Sequence, residues 1–232
     1  MQYFLDHDYI DIYPLFMHKL GKGKEGNVYS YKGDALKIYH LFPEKKCLNK
    51  EECEYLRKIN TNRILLPKEI LLDLNDDICG YTTEKISKEK DIYKINKIKL
   101  IEELDELKKE IKELSSKYVI LGDWINENFK YDGMMKFVDP GDYSVDFYKI
   151  YGDREFDEII DDNNEMLDSF VINSLFGDYI IKSSKDNYIS HNSIYGLKSE
   201  FNESNYKCID QFLEKDMNNN MLLEEYIKTK IR

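Results

Sequence analysis

The chain has 232 residues, 42% hydrophobic and 34% charged, with a formal net charge of −11. That length supports one compact unit with a sizeable core and room for two lobes. The acidic balance speaks against broad binding to a nucleic-acid backbone and leaves room for a cationic substrate. No apolar run nears the roughly twenty residues of a membrane span, and Met1-Gln2-Tyr3-Phe4-Leu5-Asp6-His7-Asp8 lacks the basic start and apolar stretch of a secretory signal. Neither a membrane span nor a leader is expected. Cys47, Cys53, Cys79 and Cys208 show no paired spacing, and His7, His18, His40 and His191 are scattered, so no zinc site is legible. Four cysteines without a framework fit a reducing, cytoplasmic setting.

Residues 16 to 40 read as three strands, with Lys32-Gly33-Asp34 as a turn. A helix follows over about 46 to 60, with apolar Leu48, Tyr55, Leu56 and Ile59. Two strands come next, Lys68 to Leu74 and Ile78 to Ile86, joined at Asn75-Asp76-Asp77. Residues 97 to 117 carry Ile98, Ile101, Leu104, Leu107, Ile111 and Leu114 on one face and Glu/Lys on the other. The periodicity is too short for a coiled coil and predicts a helix buried in a larger body. Further helices are expected near 162–176, 205–216 and 220–231.

Two motif groups carry chemistry. Leu20-Gly21-Lys22-Gly23-Lys24-Glu25-Gly26-Asn27-Val28-Tyr29 is a G-x-G-x-x-G-x-V run, and Ala35-Leu36-Lys37-Ile38-Tyr39 follows on a strand. Glycines let a backbone fold over phosphates and present N–H groups where a Cβ would intrude. A dinucleotide-binding reading needs a helix straight after the glycines. Here the β-rich Asn27-Val28-Tyr29-Ser30-Tyr31 follows instead, so the glycines bridge two strands and Lys37 lies on a third. The second group is Leu121-Gly122-Asp123-Trp124-Ile125-Asn126-Glu127-Asn128, then Val138-Asp139-Pro140-Gly141. An Asp, an Asn five positions on, and a later Asp before Gly can place three oxygen ligands around a nucleotide. Trp124 reads as a core residue.

These motifs, in this order over residues 16 to 141, resemble the protein-kinase-like superfamily, in the form of a small bacterial member. The resemblance implies an α+β, two-lobed fold. Residues 1–86 would be a five-stranded antiparallel N-lobe with one helix, and 87–232 a reduced, mainly helical C-lobe. It implies ATP and Mg²⁺ as ligands. Gly21, Gly23, Gly26 and Val28 would cover the nucleotide, and Lys37 would contact its α- and β-phosphates. Glu52 would pair with Lys37, with Glu51 and Glu54 as register alternatives. Thr83, Glu84 and Ile86 would form the gatekeeper and hinge beside adenine. Asp123 would act on the acceptor hydroxyl, and Asn128 and Asp139 would hold the metal.

The sequence also departs from that pattern. Leu121-Gly122 stands where His-Arg precedes the catalytic Asp of protein kinases, Ile125 where their Lys follows it, and Pro140 in place of the Phe of D-F-G. No A-P-E follows Gly141. The Gly before Asp123 leans toward the aminoglycoside- and choline-kinase branch. The glycine loop and Ala35-x-Lys37 look most like protein kinases. The expected activity is phosphoryl transfer to a hydroxyl on a protein. A small-molecule acceptor, a nucleotide-binding pseudokinase or scaffold, and AMP transfer are the alternatives. No nucleic-acid or membrane partner is expected.

Overall fold

The computed structural model describes residues 3–12, 18–43, 47–86, 88–122, 128–147 and 156–170, together with Leu222. Its centre is a seven-stranded antiparallel sheet of order β2-β1-β6-β7-β5-β4-β3. The strands are β1 (Tyr3–Leu5), β2 (Asp8–Ile10), β3 (Lys19–Lys22), β4 (Gly26–Tyr31), β5 (Asp34–Tyr39), β6 (Ile70–Asp73) and β7 (Ile78–Glu84). Five of these were expected. The extra pair is a hairpin whose turn residues, Asp6 and His7, have φ of 46° and 91°. β1 joins the free edge of β6, Tyr3 opposite Asp73 and Leu5 opposite Leu71. The Asp6 carboxylate then takes the Arg57 Nη1 on both oxygens at 2.8 Å and the Ile70 N–H at 3.1 Å. Three-residue strands carry too little pattern to be recognised in the sequence.

Helix α1 (Lys50–Leu56) is shorter than the 46–60 expected. Asn49 caps its N-terminus, its side chain accepting the Glu52 N–H at 2.8 Å, while the Glu52 carboxylate accepts the Asn49 N–H at 3.0 Å. This reciprocal capping box fixes the start. Helix α2 (Lys97–Ser115) begins at Asn96, whose side chain accepts the Lys99 N–H. Its buried stripe is Leu100, Leu104, Leu107, Ile111 and Leu114, while Ile98 and Ile101 lie at the margin. α2 belongs to the main hydrophobic cluster, with Leu56, Ile64, Tyr81, Phe129 and Phe137.

Beyond α2, the chain forms β8 (Val119–Ile120), β9 (Phe129–Tyr131), β10 (Met135–Phe137) and β11 (Ser144–Val145). β9 pairs with β10 and β8 with β11, both antiparallel. Helix α3 (Phe156–Ser169) starts earlier than the expected 162. The adjoining Phe170 ring packs 5.3 Å from Phe129 and 4.8 Å from Phe137 between centroids. The helices expected at 205–216 and 220–231 lie outside the described residues. Among the described residues, no helix is long and apolar enough to cross a membrane.

A polar seam also binds α2 to the segment before β6. Glu110 accepts the N–H groups of Asn62, Arg63 and Ile64 at 3.0–3.1 Å. Glu103, 1% exposed, ion-pairs with Arg63, takes Lys99 at 2.8 Å and accepts the Met135 N–H at 2.8 Å. Burial works to raise the Glu103 pKa, but the Arg63, Lys99 and Met135 donors outweigh it and hold the group below the ordinary 4.5. Its contribution to stability is therefore present above the unfolded value and lost as pH falls through the lower folded one. Glu103→Gln should cost about 3–5 kcal/mol at neutral pH, the usual cost of breaking a buried pair. It should also flatten the loss of stability below pH ~4.5. Urea titrations of both proteins across that range check it.

Candidate functional site

The sheet register builds the site before any loop is considered. Gly21 lies opposite Val28, Val28 opposite Lys37, Lys37 opposite Tyr81 and Tyr81 opposite Ile70. Directly opposed residues share a face, so these five form one row across it. Ala35 opposite Thr83 forms the next row on that side. Thr83 is buried, and Glu84 at the end of β7 receives the Lys136 ammonium of β10 at 2.7 Å. Ile86 lies half-buried just beyond.

Lys37 is 5% exposed and its Nζ is held by two carboxylates. One is Asp139, at 2.6 Å across a separation of 102 residues. The other is Glu25, the non-glycine residue just before Gly26 in the loop itself. The expected partner, Glu52, is spent differently: its carboxylate closes the α1 capping box, so the Lys37–Glu52 pairing is replaced by Lys37–Glu25. The physical reason is reach. The β4–β5 register puts Gly26 opposite Tyr39, so the residue before Gly26 sits beside the strand that carries Lys37. Burial disfavours the Lys37 charge, yet Asp139 and Glu25 overcome it and hold the ammonium above the ordinary lysine value. Burial is also the main influence on Glu25, which is raised despite Lys37, with Asp139 and Asp142 adding to the rise.

The loop has a defined shape. Gly23 N–H donates to the Gly26 carbonyl at 2.9 Å and His40 N–H to the Glu25 carbonyl at 2.8 Å. The three glycines have different reasons to be glycine. A Cβ on Gly26 would fall 2.1 Å from the Ile38 carbonyl oxygen, so the fold itself demands glycine there. A Cβ on Gly21 meets nothing within 4 Å, and on Gly23 only the Gly26 carbonyl at 3.9 Å. Packing imposes nothing at these two, which leaves open space above the loop.

Asp139 caps the short 3-10 turn Pro140–Asp142. Its Oδ1 takes three donors: Lys37 Nζ at 2.6 Å, Gly141 N–H at 3.1 Å and the Tyr81 hydroxyl at 3.2 Å. No hydrogen bond to Oδ2 is formed among the described residues, and the side chain is 33% exposed. Gly141 lies under Glu25: a Cβ there would come 2.1 Å from the Glu25 carboxylate. The glycine loop and the Asp139 turn are therefore in direct contact.

Asp123 and Trp124 lie outside the described residues. Both anchors of their segment are described. Leu121 N–H donates to the Asn163 side chain at 2.8 Å, and Asn163 of α3, fully buried, donates in turn to the Val119 carbonyl and Ser115 hydroxyl at 2.9 Å each. At the other end, the Asn128 carbonyl accepts the Val138 N–H at 2.9 Å, which sets Asn128 beside the residue preceding Asp139. Among the described residues no three His, Cys, Asp or Glu side chains gather as a metal site. A cation here would have Asn128 and the free oxygen of Asp139 as protein ligands, a set that suits Mg²⁺ bound mainly by phosphates and water.

Glu25, Tyr81 and Asn163 escaped the sequence reading. A Glu two residues before a β-rich stretch could have signalled the first; the other two depend on register and tertiary packing. Gly26→Ala should destabilise the fold by several kcal/mol, on the order of other strained core insertions, while Gly21→Ala should leave the melting temperature within about 2 °C. Parallel thermal melts separate the two. No family model matches this sequence and no curated protein is similar to it, so the reading of the site rests on its geometry.

Proposed function

We propose that the chain is an ATP- and Mg²⁺-dependent phosphotransferase of two-lobed, protein-kinase-like fold that phosphorylates a hydroxyl acceptor. In that reading the sheet and α1 form the nucleotide-binding lobe, and α2, the β9–β10 hairpin and α3 belong to the lobe carrying Asp123. The observation that carries it is the 2.6 Å contact of Lys37 with Asp139. It joins the two motif groups that a kinase mechanism needs side by side, across 102 residues of chain. The open Gly21 and Gly23 positions support it further, since no packing reason for glycine exists there.

The roles follow from charge. Lys37 brings a fixed positive charge to the phosphates, and the loop N–H groups lie over them. Asp139 and Asn128 would hold Mg²⁺, and the ion would supply neutralisation of charge on the transferring group. Asp123 accepts the proton of the acceptor hydroxyl as the new P–O bond forms to that oxygen and the bond to the β-phosphate bridging oxygen breaks, leaving ADP. A protein acceptor is favoured by the resemblance of the glycine loop and Ala35-x-Lys37 to protein kinases.

Millimolar Mg·ATP should raise the melting temperature, because a ligand that binds only the native state stabilises it. Asp139→Asn should remove most of the metal-dependent part of that binding. Asp123→Asn should keep it and cut transfer by roughly 10²–10⁴. Calorimetry and a proteome and metabolite screen with γ- and α-labelled ATP measure both and distinguish phosphate from AMP transfer. No melting shift, or nucleotide binding indifferent to Asp139, would overturn the reading.

A further inference from the structure

Tyr81 enters none of the roles assigned so far, yet it is the most deeply placed polar group at the site. Its side chain is 1% exposed in the row between Lys37 and Ile70, and its hydroxyl reaches Asp139 Oδ1 at 3.2 Å. The ring is fixed on two sides. Tyr39 packs edge-on with centroids 6.0 Å apart, and the Lys37 ammonium lies 5.9 Å from the ring centre. In this contact the hydroxyl is the donor and the carboxylate oxygen the acceptor.

We propose that Tyr81 is a positioning residue for metal binding: it locks the rotation of the Asp139 carboxylate so that Oδ2 is the oxygen left for the cation. This rests on the reading of Asp139 as a Mg²⁺ ligand. The geometry carries it because three donors from three elements converge on one oxygen: Lys37 on β5, Tyr81 on β7 and the Gly141 N–H of the turn. Of these, Lys37 would also turn to phosphate, and the turn amide moves with Asp139 itself. Tyr81 is the donor whose ring is packed against Tyr39 and which has no phosphate to turn to. Its hydroxyl therefore holds the carboxylate while Lys37 is engaged elsewhere. Hydrogen bonds to charged groups are the stronger kind, and fixed second partners of metal ligands commonly tune affinity tenfold or more.

Tyr81→Phe keeps the ring and its packing against Tyr39, and removes only the donor. The quantity to measure is the ratio of ATP affinity with Mg²⁺ to that with EDTA, by calorimetry, with melting curves confirming the fold. We expect Tyr81→Phe to reduce that ratio roughly three- to tenfold and to leave the EDTA affinity near wild type. In an Asp139→Asn background the same change should have no further effect on the ratio, because its target is gone. A folded Tyr81→Phe protein with an unchanged ratio overturns the inference and leaves the kinase reading standing. So does a loss of the same size in both backgrounds, which would mark a purely structural role. A wild-type ratio of one removes the kinase reading itself, and the inference with it.

Discussion

The Lys37 ammonium sits out of water between the carboxylates of Glu25 and Asp139, and the arrangement of the surrounding chain follows from that burial. A lone buried cation is too costly to persist, so it must be met by anions. Those anions come from the glycine loop and from a turn 102 residues further on. The strand entering the glycine loop is largely exposed, whereas the Asp139 turn is flanked by the core residues Phe137 and Tyr143. The ion cluster, with Gly141 packed beneath Glu25, gives both segments a fixed address on the sheet.

The cluster is also unbalanced. Two carboxylates face one ammonium, with Asp142 close enough to raise Glu25 further. An incoming polyphosphate would add to an existing excess of negative charge. Coulomb repulsion in a partly buried site is then relieved by a divalent cation or by the withdrawal of Glu25 from Lys37. On the proposed function, the same residues that organise the site would make nucleotide binding depend on a counter-ion. A site lined mainly by lysine would not have that dependence.

Sequence periodicity made the inner strands and α2 legible, because six-residue β4 and β5 and a nineteen-residue helix repeat their patterns several times. The β1–β2 hairpin was not legible, since three residues cannot display an alternation. Lys37 and Asp139 were identified from motif spacing, and their proximity is a property of the fold. The partner of Lys37 was misassigned because two carboxylates compete in the sequence. Glu52 occupies a helix at a familiar distance, but a capping box at Asn49 claims it first. Glu25 lies beside the strand that carries Lys37 and takes that place instead. Tyr81 was invisible for another reason: its importance comes from lying directly across from Lys37, and cross-strand register is not written in either strand alone.

The position of β1 in the sheet has a kinetic side. Tyr3 pairs with Asp73, so β1 is synthesised some seventy residues ahead of its sheet partner β6. Until residue 73 emerges, the hairpin of Tyr3–Ile10 has no edge to join, and β6 in turn exposes that edge until the hairpin arrives. Two-stranded hairpins are marginal alone, and unpaired edges invite association with other chains. Closing the sheet is therefore a long-range step, of the kind that slows folding as sequence separation grows. In the finished sheet β1 lies along β6 and covers that edge, and the Asp6 carboxylate, bonded to Arg57 and to the Ile70 N–H, anchors the hairpin there.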